Sequence, residues 1–206
     1  VPPFVNWGQK VSRFPLLVAA DYENGAGVHV SGATRFPPAM ALGAAGSEDL
    51  ALSCARQPGL AARALGVRWV LAPVVDINTN PRNPVINVRA YGDDPAAAVR
   101  LARATLRGFR LTKVMGCLKH FPGHGDVAVD SHLDLPTAER TGEAAMQPYR
   151  ELAGEAEAIM AAHLVAKEMD EDSPVSLSRA AILGTLRGEL RFDGLIATDA
   201  LDMGGI

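Results

Sequence analysis

The chain has 206 residues, 48% of them hydrophobic, a formal net charge of −3 and two cysteines. This length supports one domain with a sizeable core, and the small charge, with no basic stripe interleaved with aromatics, argues against nucleic acid as a partner. No apolar run approaches the roughly 20 residues of a membrane-spanning helix, and Cys54 and Cys117 both sit in apolar segments, as core thiols and not as a disulfide or metal pair.

The first strand candidate, 14–20, is apolar and ends at Asp21. A glycine-bearing loop follows, Asn24-Gly25-Ala26-Gly27. Alanine and leucine then predict a helix over Glu48–Leu65, with Ser47 as N-cap and Gly66 as its stop. The strand 67–72 leads through Pro73 to Asp76 and into a loop carrying Asn78, Asn80, Pro81, Asn83 and Pro84. Asp94-Pro95 opens a second helix that runs to Leu111, with Pro95 suited to the first turn. Val99, Leu101, Ala102, Leu106 and Phe109 are its candidate inner positions. The apolar run 114–118 is the next strand, followed by the polar loop 119–132, a helix over 143–155 and a strand over 158–162 that ends at His163. Ser178 caps a helix over 179–190, and the last strand, 194–197, ends at Thr198-Asp199.

Strand and helix alternate, which means parallel strands with crossover helices. Each strand is a continuous apolar run, as burial on both faces requires. A polar residue closes each one: Asp21, Asp76, Lys119-His120, His163 and Asp199. Each alone could be a turn or capping residue; in a (β/α)₈ barrel all five would converge on one pocket. No glycine-rich nucleotide fingerprint follows any strand, against a dinucleotide-binding sheet. Five strands do not close a barrel of eight, so the missing strands are expected before Val1 and after Ile206. The opening Val1-Pro2-Pro3, without an initiator methionine or signal-peptide pattern, agrees with a fragment truncated at both ends.

The stretch Lys119–His132 is the richest in chemistry: one lysine, three histidines and two aspartates on a loop broken by glycine and proline. A simple turn needs neither that length nor so many titratable groups. His124 and Asp126, flanked by glycines, are expected to brace the loop, and Asp76 to brace its own turn. A metallohydrolase reading would use His120, His124, Asp126, Asp130 and His132 as ligands, but their spacing matches no metal motif.

That loop resembles the KHFPGHGDTxxDSH signature of the bacterial β-N-acetylglucosaminidase branch of glycoside hydrolase family 3. Further blocks are similar to the same family: Phe36-Pro37-Pro38-Ala39-Met40-Ala41-Leu42, Ala72–Pro81, Asn83–Asn87, Arg89-Ala90-Tyr91-Gly92-Asp93-Asp94-Pro95 and Thr198-Asp199-Ala200-Leu201-Asp202-Met203. The resemblance implies that residues 1–206 are part of an N-terminal catalytic (β/α)₈ barrel, here incomplete. It implies a retaining hydrolase with Asp199 as nucleophile and His132, oriented by Asp130, as acid and base. Asp21, Arg89, Lys119, His120 and His163 would hold the sugar; His163 is either that or a strand-end residue capping the barrel core, and Glu23 is either a sugar ligand or a solvated loop residue. Asp202 is expected to cap free backbone N–H groups at a helix start. The substrate implied is a terminal β-linked N-acetylglucosaminide of muropeptides or chitin-type oligosaccharides, with no metal or organic cofactor. The alternatives are a phosphorylase or a β-glucosidase on the same site, or a non-catalytic carbohydrate-binding module. Relatives of this type occur both in the cytoplasm and as exported proteins; the compartment stays open, with a lean to the cytoplasm.

Three departures stand out. Val127 replaces the loop threonine, and Ala90 a common serine. The run Asp21–His29 carries one residue more than the usual D-x-E-G-G-R-V and lacks its arginine.

Overall fold

The computed structural model describes residues 1–127, 135–139 and 141–204. Among the described residues seven short strands are formed: β1 (Ala19–Ala20), β2 (Trp69–Val70), β3 (Leu118–Phe121), β4 (Thr137–Ala138), β5 (Ala158–Ala161), β6 (Val165–Ala166) and β7 (Leu195–Thr198). Five α-helices accompany them: α1 (Pro2–Val11), α2 (Ala39–Ala45), α3 (Glu48–Ala64), α4 (Pro95–Leu111) and α5 (Glu143–Leu152). A further helix, Ala180–Glu189, is wound with π-type hydrogen bonds.

Every strand pairing is parallel. β1 pairs with β2, and β3, β5 and β7 form one sheet in that order. Bridges Trp69–Met115 and Val74–Lys119 connect the β2 segment to the β3 segment. The five main strands therefore lie side by side in chain order, as consecutive β/α units place them, with all their C-terminal ends on one edge. Among the described residues, β1 and β7 each pair on one side only.

Local sequence explains the helices that carry this sheet. Ser47 Oγ accepts from Leu50 N at the start of α3, and Asp94 Oδ1 accepts from Ala96 N at the start of α4; such caps are worth about 1 kcal/mol each. The five inner positions expected on α4 are all buried. Val99, Leu101, Ala102 and Leu106 join Leu118, Phe121, Leu152, Ile159, Leu164 and Leu186 in one continuous core, while Phe109 packs into a second cluster with Ala55, Ala62 and Val70. Each fully buried side chain of this kind contributes roughly 1.5–3 kcal/mol. Phe121 meets Tyr149 edge-to-face at 5.1 Å. Cys54 and Cys117 are free thiols, the second fully buried, and burial pushes the Cys117 thiol up to about 12.

The third strand departs from its expected bounds. The run 114–118 still contributes Met115 and Cys117 to hydrogen bonds with the 68–72 segment, but the paired strand is Leu118–Phe121. It takes in Lys119 and His120, which are 2% and 5% exposed. Hydropathy assigns such residues to a loop, because it cannot see that distant carboxylates satisfy them. The helices α1 and α2 and the two-residue β4–β6 pair were not expected from the sequence pattern. Helix α5 ends at Leu152, short of the expected 155. Ser178 caps as expected, its Oγ accepting from Ala181 N.

Candidate active site

Three of the five strand ends, those at Asp21, Lys119-His120 and Asp199, converge, and those at Asp76 and His163 do not line the same cleft. A cleft of about 320 Å³ opens at the C-terminal edge of the strands, and Asp21, Arg89, Lys119, His120 and Asp199 all line it. Asp130 and His132 lie outside the described residues. His163 does not line the cleft: it is fully buried behind it.

An ion-pair network forms one wall. Lys119 Nζ, almost wholly buried, lies 2.6 Å from Asp21 Oδ1 and 2.7 Å from Glu23 Oε1. Arg89 grips Glu23 with both arms, Nη2 to Oε1 at 2.7 Å and Nε to Oε2 at 3.0 Å. Glu23 is thus the hub, a role its glycine-bearing loop did not announce. Burial alone would raise the Glu23 carboxyl, but the Arg89 hydrogen bonds and the Lys119 charge outweigh it and hold the group below the ordinary carboxylate range. Burial would likewise lower Lys119, and the Glu23 and Asp21 charges reverse that, so it stays a cation. The Asp21 side chain remains 53% exposed. It is the carboxylate of this network with room to meet a ligand.

The histidines have assigned tautomers. His120 Nε2 lies 3.2 Å from Arg89 Nη2, an atom that only donates. Nε2 therefore accepts, and Nδ1–H donates to Asp76 Oδ2 at 2.7 Å. Asp76, 1% exposed, also accepts from the backbone N–H groups of His120 and His124. Desolvation would raise its carboxyl, but His120 and His124 hold it below the ordinary range. It braces the histidine loop, and not only its own turn as the sequence suggests. His124 is buried with neither ring nitrogen hydrogen-bonded, and burial lowers its pKa. Among the described residues no three His, Cys, Asp or Glu side chains converge in a way that could hold a metal ion.

The asparagine loop clamps the histidine loop from outside. Asn83 Oδ1 accepts from Val85 N and Ile86 N, while its Nδ2 donates to His124 O at 2.7 Å. Asn80 Nδ2 donates to Asp126 O. A Cβ on Gly125 would fall 1.8 Å from Ile77 O, so only glycine allows this approach. The peptide bonds Lys119–His120 and Phe121–Pro122 are cis.

Asp199 faces the network across the cleft. Its N–H donates to Ala161 O on β5, and its Oδ1 accepts from Ala200 N at 2.9 Å. A carboxylate at the end of one parallel strand thus shares a cleft with a lysine, an arginine and histidines from three other elements. Residues 6–206 match the N-terminal domain of glycosyl hydrolase family 3. The chain belongs to that family.

Relatives agree along most of its length. β-Hexosaminidase A of Pseudoalteromonas piscicida is 36% identical over 96% of this chain, which covers 37% of that protein. Among solved structures, the β-glucoside phosphorylase BglX superposes with a TM-score of 0.93 at 33% identity, covering 99% of this chain and 40% of that one. A family 3 β-N-acetylglucosaminidase from Paenibacillus sp. str. FPU-7 gives 0.88 at 42% identity, covering 94% and 38%. The chain spans 37% to 61% of the curated relatives it matches.

Against the family 3 pattern, the lengthened loop builds the cleft wall beyond Glu23. Asn24, Val28 and His29 line the cleft there, which the sequence did not single out. Gly27 makes the turn tight: its N–H donates to Thr34 O, and a Cβ on it would meet Ala33 O at 2.4 Å. Arg35 is no substitute for the absent arginine, because its Nε is tied to Gly27 O. Ala90 is fully buried and Val127 nearly so. Asp202 is exposed on a turn closed by Met203 N to Ala200 O and starts no helix among the described residues.

Proposed function

We propose that residues 1–206 form part of a (β/α)₈ catalytic barrel. Its activity would be that of a retaining exo-glycosidase, removing terminal β-linked N-acetylglucosamine from muropeptides or chitin-type oligosaccharides. The observation that carries this reading is the shared cleft of Asp199 and the Asp21–Lys119–Glu23–Arg89–His120 network. Retention needs a nucleophile on one face of the sugar and a proton donor on the other. Asp199 attacks the anomeric carbon and forms a glycosyl ester. His132, oriented by Asp130, protonates the leaving oxygen and then takes a proton from water, a role that suits an imidazole near neutrality. Asp21 accepts from sugar hydroxyls, while Lys119 and Arg89 donate to them. The chemistry requires no metal or organic cofactor.

The test uses the complete protein and its Asp199→Asn variant on nitrophenyl β-N-acetylglucosaminide and β-glucoside. Turnover of the N-acetyl substrate, lost in a variant that still folds, supports the reading. Wild-type rates in Asp199→Asn remove the nucleophile assignment, and a preference for the glucoside moves the substrate.

The likeness to the BglX phosphorylase favours a second reading, in which phosphate replaces water as acceptor. Arg89 and Lys119, the lysine and arginine among the described lining residues, are paired with carboxylates, so the acceptor is decided by experiment. Inorganic phosphate should leave the rate unchanged and give no sugar 1-phosphate; acceleration with that product would establish the phosphorylase.

A further inference from the structure

His163 was expected at the sugar and instead stands behind the proposed nucleophile. Its Nε2 lies 2.9 Å from Ala200 O, which can only accept, so Nε2 carries the proton and donates. Nδ1 must then accept, and Ser176 Oγ at 2.7 Å is its donor. Ala200 in turn donates its N–H to Asp199 Oδ1 at 2.9 Å. His163 is fully buried and Ser176 is 8% exposed, so water does not compete for the bond between them. We propose that Ser176 and His163 are positioning residues whose hydrogen bonds run through Ala200 to Asp199, holding its Oδ1 and leaving Oδ2 to attack.

The logic is that of an orienting relay. The Ala200 carbonyl fixes the His163 tautomer, Ser176 holds the ring in place through Nδ1, and Ala200 holds the rotation of the carboxylate. Loss of Ser176 leaves Nδ1 a buried acceptor without a donor and frees the ring to turn away from Ala200 O. Neither residue lines the cleft, so substrate binding is spared while the reacting oxygen loses its place. A misplaced nucleophile costs rate steeply.

The inference rests on Asp199 being the nucleophile. In the complete protein, Ser176→Ala should lower kcat about tenfold or more per active site, with KM within about twofold, since the substrate contacts stay. Ser176→Thr, which keeps the hydroxyl, should restore kcat. His163→Gln, whose amide can still donate to Ala200 O, should retain more activity than His163→Ala. Wild-type kcat in folded Ser176→Ala, or a raised KM with kcat unchanged, overturns the relay. Should these variants fail to fold, the wild-type protein decides: nitrogen NMR of labelled histidine should show His163 as the Nε2–H tautomer, and the Nδ1–H tautomer overturns the relay. A dead Asp199→Asn beside a fully active Ser176→Ala rejects the relay alone. An active Asp199→Asn rejects the nucleophile assignment first.

Discussion

Glu23 is the residue on which the cleft wall turns. It shares its two oxygens between a largely buried arginine and a buried lysine. Glu23→Ala leaves the half-exposed Asp21 beside Lys119 and takes from Arg89 its direct carboxylate partner, and should cost about 3 kcal/mol of stability together with most of the activity; thermal unfolding and kinetics check this. The pH dependence has a defined sign. The folded-state pKa of Glu23 lies below its ordinary value of 4.5, so its contribution is complete above that value and is lost as pH falls through the folded pKa. Asp76 is lowered too and acts in the same direction. The wild-type Tm should therefore drop on acidification below about pH 4.5, and Glu23→Gln should show a shallower drop over the same range. Equal slopes would contradict the hub.

At the scale of elements, two loops lock each other at the end of β3, and Asn83 is the lock. Removing its side chain deletes one donor and two acceptor contacts. Asn83→Ala should cost about 2–3 kcal/mol and lower kcat, by shifting the loop that carries His120 and His124; denaturant unfolding and a kinetic assay read both effects. Much of this architecture was legible in the chain. Ser47, Asp94-Pro95 and the apolar periodicity of α4 placed the helices, because those signals are local. The strand-end residues Asp21, Asp76, Lys119, His120 and Asp199 were legible because parallel strands put every C-terminal end on one edge. What escaped is tertiary. Nothing near Glu23 announces its two cationic partners, which lie 66 and 96 positions away in the sequence. His163 looked like a cleft residue because strand-end position does not fix side-chain direction, and its partners Ser176 and Ala200 come from other segments. The wall residues Asn24, Val28 and His29 escaped because a lengthened loop has no pattern to be compared with.

At the scale of the molecule, one flank is uncovered. Phe4, Trp7, Val11 and Phe14 are each more than half exposed, and a largely apolar groove of about 400 Å³ runs between α1 and β1. The free edge of β1 is beside it. In the proposed barrel, further strands and a helix would cover this flank. The 206-residue chain alone should therefore self-associate and bind a hydrophobic dye, while the complete protein should bind less dye; sedimentation and dye fluorescence check both, and a monomeric chain that binds no dye would contradict the closure. In the proposed reaction Asp199 becomes covalently glycosylated by an N-acetylglucosaminide. The direct measurement is mass spectrometry of the complete protein after reaction with 5-fluoro-N-acetylglucosaminyl fluoride, a mechanism-based label that slows release of the glycosyl-enzyme. The account predicts one added sugar, mapped to Asp199 and absent from Asp199→Asn. Continued turnover with no adduct, or an adduct on another residue, would contradict it.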